Sequence, residues 1–161
     1  MQILVTGAAG FIGSHLVEAL LRENHAVCGV DNLSVGRMEN LEQASKSKMF
    51  SFHQIDITSR TELNSIQGDF DIVLHLAALA DIVPSIEQPE EYFETNVTGT
   101  LRIMQLARKL GAKKVVYIAS SSCYGIPESF PTPETAEILP KYPYALTKFL
   151  GEQIALHWSD R

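Results

Sequence analysis

Gly7-Ala8-Ala9-Gly10-Phe11-Ile12-Gly13 stands directly after the apolar run Ile3-Leu4-Val5 and opens onto Ser14-His15-Leu16-Val17-Glu18-Ala19-Leu20-Leu21, whose apolar residues recur at helical spacing. The order is strand, glycine turn, helix N-terminus, the arrangement that offers free backbone N–H groups to a pyrophosphate. Gly7 permits the tight turn, Gly10 leaves room for phosphate to approach the backbone, and Gly13 lets the helix pack closely. A second apolar run, Ala26-Val27-Cys28-Gly29-Val30, ends in Asp31, 24 residues beyond Gly7. An acid at that strand end is placed to accept hydrogen bonds from an adenosine ribose diol and to repel a 2′-phosphate, so the reading is NAD rather than NADP. The competing reading, a glycine turn followed by an ordinary strand-end Asp, leaves the ordered set of four features unexplained.

Beyond this unit, short β-type runs alternate with helical patterns. Strands are expected near 2–6, 26–31, 50–55, 71–76 and 114–119, and helices near 11–24, 37–46, 59–66, 89–110 and 143–158. Near-continuous apolar strands alternating with helices imply an α/β fold, a Rossmann-type doubly wound parallel sheet covered on both faces. Five strands are fewer than the usual six or more. The stretch 120–142, with Pro127, Pro131, Pro133 and Pro140, reads as a long irregular loop, which in a compact domain is more often functional than idle.

The chain has 161 residues and a net charge of −6, which argues against nucleic acid or an anionic membrane as a partner. Cys28 and Cys123 fall in different elements and fit neither a disulfide framework nor a metal-ligand spacing. The N-terminus lacks a basic leader and no apolar run approaches membrane-spanning length, so a reduced cytoplasmic setting is the expectation.

Tyr144-Ala145-Leu146-Thr147-Lys148 follows the helix-start signal Pro143. The i, i+4 spacing puts phenol and ammonium one turn apart on one face, where the cation stabilises a phenolate and makes Tyr144 a candidate acid/base. Taken alone, that spacing is more often a solvated helix face. It gains weight from the strand Val115-Val116-Tyr117-Ile118-Ala119 and the hydroxyls that end it, Ser120-Ser121-Ser122, since open α/β sheets bind ligands beyond the carboxyl ends of their strands. Ser121 reads as an ordinary polar strand end.

These segments together, TGAAGFIG (6–13), VDNLS (30–34), DI (56–57), HLAALA (75–80), NVTGT (96–100), SSSCYG (120–125) and YALTK (144–148), resemble the extended short-chain dehydrogenases/reductases, specifically their nucleotide-sugar epimerase/dehydratase group. The resemblance runs in order over essentially the whole chain. It implies that residues 1–161 are an NAD-binding domain and that a C-terminal substrate domain lies outside them, since family members run to about twice this length. It implies catalytic roles for Ser120, Tyr144 and Lys148, with Tyr144 and Lys148 also at the cofactor. Gly7, Gly10, Phe11, Ile12, Gly13, Asp31, Asn32, Ser34, Asp56, Ile57, Leu76, Ala77, Ala78, Ala80 and Asn96 match cofactor-contacting positions, and Ser122 matches one that touches the sugar. His75 reads as structural, with the Ala77-Ala78 backbone lining the cofactor.

The implied chemistry is transient oxidation of a UDP- or dTDP-sugar to a keto-sugar, with hydride return to the opposite face inverting one carbon, as in interconversion of UDP-glucose and UDP-galactose at C4. The 4,6-dehydratases of the group carry Asp-Glu after their catalytic Thr, and decarboxylases often a Glu near the same place. Here Ser121 and Ser122 stand instead, which favours epimerisation over those two alternatives. The resemblance departs at Ala80, where well-known 4-epimerases have a Lys near the cofactor. The remaining rival is a non-catalytic NAD-binding fragment. The resemblance also implies a homodimer through the helices 89–110 and 143–158.

Overall fold

A computed structural model describes residues 1–159. Five strands, β1 (Gln2–Thr6), β2 (Ala26–Asp31), β3 (Phe50–Gln54), β4 (Ile72–His75) and β5 (Lys114–Tyr117), form one parallel sheet in the order β3-β2-β1-β4-β5. The chain winds outward from β1 to β3, then returns to the other side of β1 for β4. A crevice therefore opens between the carboxyl ends of β1 and β4, the place where doubly wound sheets bind ligands.

Alternation along β1 explains why the sheet is covered twice. Ile3 and Val5 point to one face and pack with Val17 of α1 (Phe11–Arg22) and with Val27. Leu4 points to the other face, into a larger cluster with Val30, Val73, Ile103 and Leu106. The second cluster gathers α5 (Thr100–Lys109) and, through Ile154, Ala155 and Trp158, α6 (Pro143–Ser159). The chemistry-bearing ends of β5 and α6 are thereby held on the same side as the crevice.

All five expected strands form, but the helices differ in detail. The stretch 37–46 is two short 3-10 turns, Met38–Leu41 and Ala44–Lys46, rather than one helix. The Asn40 amide is drawn to the Ala9 carbonyl at 2.7 Å, which ties the segment to the glycine turn instead of to a regular ladder. Of 59–66, only α2 (Arg60–Leu63) is helical, capped by the Ser59 hydroxyl. A helix not expected from the pattern, α3 (Ile82–Glu87), precedes α4 (Pro89–Phe93). Pro89 disfavours helical geometry at Gln88, and Gln88 is the break between them. Glu94–Gly99 then continues as a π-helical segment into α5, a local widening often found at functional sites. Within 120–142 the one regular piece is the 3-10 turn Ser121–Tyr124.

Candidate functional site

The glycine turn is built by close approach. Gly7 has φ +69°, and a Cβ there would stand 2.8 Å from the Ala77 nitrogen; a Cβ on Gly13 would stand 2.0 Å from the Gly7 carbonyl oxygen. No side chain fits at either position without separating the turn from α1 or from the segment after β4. At Gly10 a Cβ would meet only the Gly7 oxygen, at 3.3 Å, so its outer side is open. No side chain caps α1, leaving its first-turn N–H groups to face an anion. Phe11 and Ile12 of that turn are exposed. This open, uncapped cradle fits a pyrophosphate.

A groove runs from this cradle along the strand ends, lined by Gly7, Gly10, Asp31, Asn32, Ser34, Ile57, Leu76, Ala77 and Ala78 of the expected set. Val35, Gly36, Ile55, Leu79 and Thr95 also line it. These were missed because apolar and small residues beside a motif carry no chemical signal of their own. Asp31 is buried; its two carboxylate oxygens accept from the Ala9 N–H at 2.9 Å and the Leu33 N–H at 2.8 Å. Each oxygen keeps a lone pair for a ribose hydroxyl. Asp56 lies beside the groove. Partial burial pushes its carboxyl up, but bonds from Thr58 and from the Asn32 amide outweigh this and hold it below the usual range.

Two buried polar residues frame the crevice. Thr6 and His75 are partners across β1 and β4, and the Thr6 hydroxyl lies 2.7 Å from His75 Nδ1. His75 Nε2 lies 3.0 Å from the Thr100 hydroxyl, and Thr6 Oγ1 accepts from the Ala77 N–H at 3.2 Å. Burial, helped by the nearby Lys148 charge, pushes the imidazole down to about 3, so it stays neutral. It braces the groove wall, as the structural reading of His75 expects. Asn96 is also buried. It brackets Leu79, accepting from its N–H at 2.8 Å and donating to its carbonyl at 3.0 Å, and donates to the Thr147 hydroxyl on α6. Its amide thus joins the groove loop to α6 through Leu79. Ala80 is exposed, and its carbonyl accepts a hydrogen bond from Tyr92.

At the end of β5, the Tyr144 hydroxyl donates to Ser120 Oγ at 3.4 Å, and Ser120 Oγ also accepts from the Ser122 N–H at 3.2 Å. Both acceptances leave the Ser120 hydrogen available for a third partner. One turn along α6, the buried Lys148 ammonium donates to the Ile118 carbonyl at 2.5 Å and sits 4.4 Å over the Tyr117 ring. Burial lowers it to about 8, while Glu152 works in the opposite direction. Among the described residues its ammonium has no other hydrogen-bond acceptor, which leaves hydrogens for a ribose hydroxyl. Ser122 is half-buried beside Ser120 and Ser121 is exposed.

The model of the NAD dependent epimerase/dehydratase family matches residues 3–161. The chain is 43% identical over 155 residues to a UDP-glucose 4-epimerase of Mycolicibacterium smegmatis, covering 94% of this chain and 49% of the relative. It is 42% identical over 153 residues to a UDP-glucuronate 4-epimerase of Thermodesulfobacterium geofontis, covering 90% and 47%. A crystal structure of the Thermus thermophilus UDP-glucose 4-epimerase in complex with NAD superposes with a TM-score of 0.87 at 35% identity, covering 99% of this chain and 51% of that one. The chain spans about half the length of the curated relatives it matches.

Proposed function

We propose a function from one premise, that the chain belongs to the NAD dependent epimerase/dehydratase family: it carries the cofactor site and the proton-transfer residues of a nucleotide-sugar 4-epimerase. The observation that carries this reading is the Tyr144 hydroxyl bonded to Ser120 at the carboxyl end of the sheet, with the buried Lys148 ammonium one helical turn away. Bound NAD supplies the acceptor for the hydride removed from the sugar and the donor that returns it.

In this reading the uncapped turn of α1 holds the pyrophosphate and Asp31 holds the adenosine ribose. Lys148, one helical turn beyond Tyr144, donates to the nicotinamide ribose. Tyr144 Oη takes the proton from the sugar hydroxyl and later gives it back, while Ser120 donates to the same sugar oxygen and shortens the path. Ser122 contacts the sugar. With Ser121 and Ser122 after Ser120, no carboxylate in this segment serves elimination of water, so epimerisation is preferred to dehydration. The sugar's nucleotide is gripped by sequence outside these residues. A homodimer formed through α4–α5 and α6, in the cytoplasm, belongs to the same reading. Among the described residues no helix is long and apolar enough to cross a membrane.

The test has two arms. NAD⁺ titrated into the 161-residue chain should bind in the micromolar range, and absence of binding removes the cofactor reading. The complete gene product, incubated with UDP-glucose, UDP-galactose and UDP-glucuronate, should interconvert 4-epimers without net release of reduced cofactor. Accumulation of reduced cofactor, or a 4-keto-6-deoxy product, overturns epimerisation.

A further inference from the structure

We propose that Tyr92 is a positioning residue for this site, its hydroxyl fixing the loop that walls the groove and its ring seating Tyr144. The inference rests on the reading of that groove as the NAD site and of Tyr144 as the proton-transferring group.

Tyr92 lies on α4 and is 3% exposed. Its hydroxyl donates to the Ala80 carbonyl at 2.5 Å, and its ring meets the Tyr144 ring nearly at right angles, with centroids 6.4 Å apart. A residue that only filled core would have no use for the hydroxyl, since Phe has the same ring. The loop 76–81 lacks regular structure yet supplies Leu76, Ala77, Ala78 and Leu79 to the groove. It ends at Asp81 with φ +91°, a conformation that a side chain adopts only when its surroundings impose it. Beyond the Thr6 bond at Ala77, two side-chain tethers impose it: Asn96 at Leu79 and Tyr92 at Ala80. Burial, then the neighbouring Asp81, Tyr144 and Glu91, push the Tyr92 hydroxyl up, so it remains a donor at neutral pH. Tyr92 thus touches both the groove loop and the Tyr144 ring.

The two contacts separate by substitution. Tyr92→Phe removes the tether and keeps the ring; Tyr92→Leu removes both. In the 161-residue chain, Tyr92→Phe should speed amide exchange over 76–81 and weaken NAD⁺ binding, each about five-fold, the size of one neutral hydrogen bond. With 3-fluorotyrosine incorporated, and the Tyr144 fluorine resonance identified by its loss in Tyr144→Phe, Tyr92→Phe should leave that resonance in place and Tyr92→Leu should shift it. If Tyr92→Leu does not fold, Tyr92→Met replaces it. A tether is ruled out if Tyr92→Phe exchanges over 76–81 as the parent does, and seating is ruled out if the resonance holds in the non-aromatic variant. A lowered melting midpoint with exchange, affinity and resonance unchanged would reduce Tyr92 to core filling. If the parent chain does not bind NAD⁺, the cofactor reading fails, while exchange and resonance still decide the two contacts of Tyr92.

Discussion

The Tyr144 hydroxyl donates to Ser120 Oγ at 3.4 Å although the two lie 24 positions apart along a largely irregular stretch of chain. Two independent supports make the meeting. Ser120 caps the 3-10 turn that follows β5, and Tyr144 occupies the first turn of α6, which packs on the core through Ile154 and Ala155. The sheet and the helix each carry one member of the pair, and the loop between them is itself tied to the turn Ser120 caps, Leu139 N–H donating to the Cys123 carbonyl at 2.9 Å.

Tyr144→Phe is therefore expected to leave NAD⁺ affinity within about two-fold and to lower turnover of the complete protein by about 10²–10⁴, the range of a lost general acid/base. Ser120→Ala should cost less, because water can replace its donor. Turnover of epimeric UDP-sugars, measured beside NAD⁺ titration, checks both. Retained turnover in the Phe variant removes Tyr144 from the mechanism.

Asp31 does two jobs that substitution will expose together. Its carboxylate accepts from Ala9 and Leu33 N–H groups, and it faces the groove where a ribose would sit. The parent should prefer NAD⁺ to NADP⁺, since a buried acid opposes a 2′-phosphate. Asp31→Ala should narrow that preference and, by stranding two N–H groups, destabilise the fold by about 1–3 kcal/mol for each one left unsatisfied. Paired cofactor titrations and urea unfolding test the two effects. Tighter binding of NADP⁺ by the parent would contradict the assignment of Asp31.

His75 predicts an acid limit. Burial holds its folded-state value near 3, against 6.5 for the free side chain. Between these values the unfolded chain binds a proton that the folded chain refuses, so stability falls as pH falls from about 6.5 toward 3, by up to about 1.4 kcal/mol per pH unit. His75→Gln, able to bond Thr6 and Thr100 without titrating, should flatten that part of the profile. Unfolding midpoints at pH 7, 5.5 and 4 measure it, and identical slopes for parent and variant would rule His75 out as the source.

How much of this was legible in the sequence depended on range. The strands and the glycine turn were readable because their signals are local: Ile3-Leu4-Val5 before Gly7 states its structure within ten residues. The i, i+4 relation of Tyr144 and Lys148 was readable for the same reason. The fate of 37–46 was not, because the Asn40 side chain is captured by Ala9 from a distant part of the chain. The π segment was hidden too, since 89–110 has good helical spacing and its widening is accompanied by the bonds of Asn96 to Leu79 and Thr147. Tyr92 showed nothing: an aromatic residue on a helix face reads as core until its hydroxyl is seen on Ala80.

Lys148 is expected to trade stability for function. Its folded-state value of about 8 lies below the 10.5 of a free lysine, burial being the main cause. Below pH 8 the folded chain carries a charge that burial disfavours, a cost on the order of 3 kcal/mol. Between about 8 and 10.5 the unfolded chain holds the proton more tightly, so stability rises with pH and the cost fades. Lys148→Met removes the cost at every pH, while giving up the Ile118 bond and the contact with the Tyr117 ring, which do not depend on the unfolded chain. The stability of the variant relative to the parent should therefore be greater at pH 7 than at pH 10, by about 2 kcal/mol. NAD⁺ affinity should fall ten-fold or more as the ribose loses its ammonium donor. Urea unfolding at the two pH values and one titration decide the matter: a pH-independent difference would mean that the buried ammonium is not strained, and undiminished affinity would mean that it does not serve the cofactor.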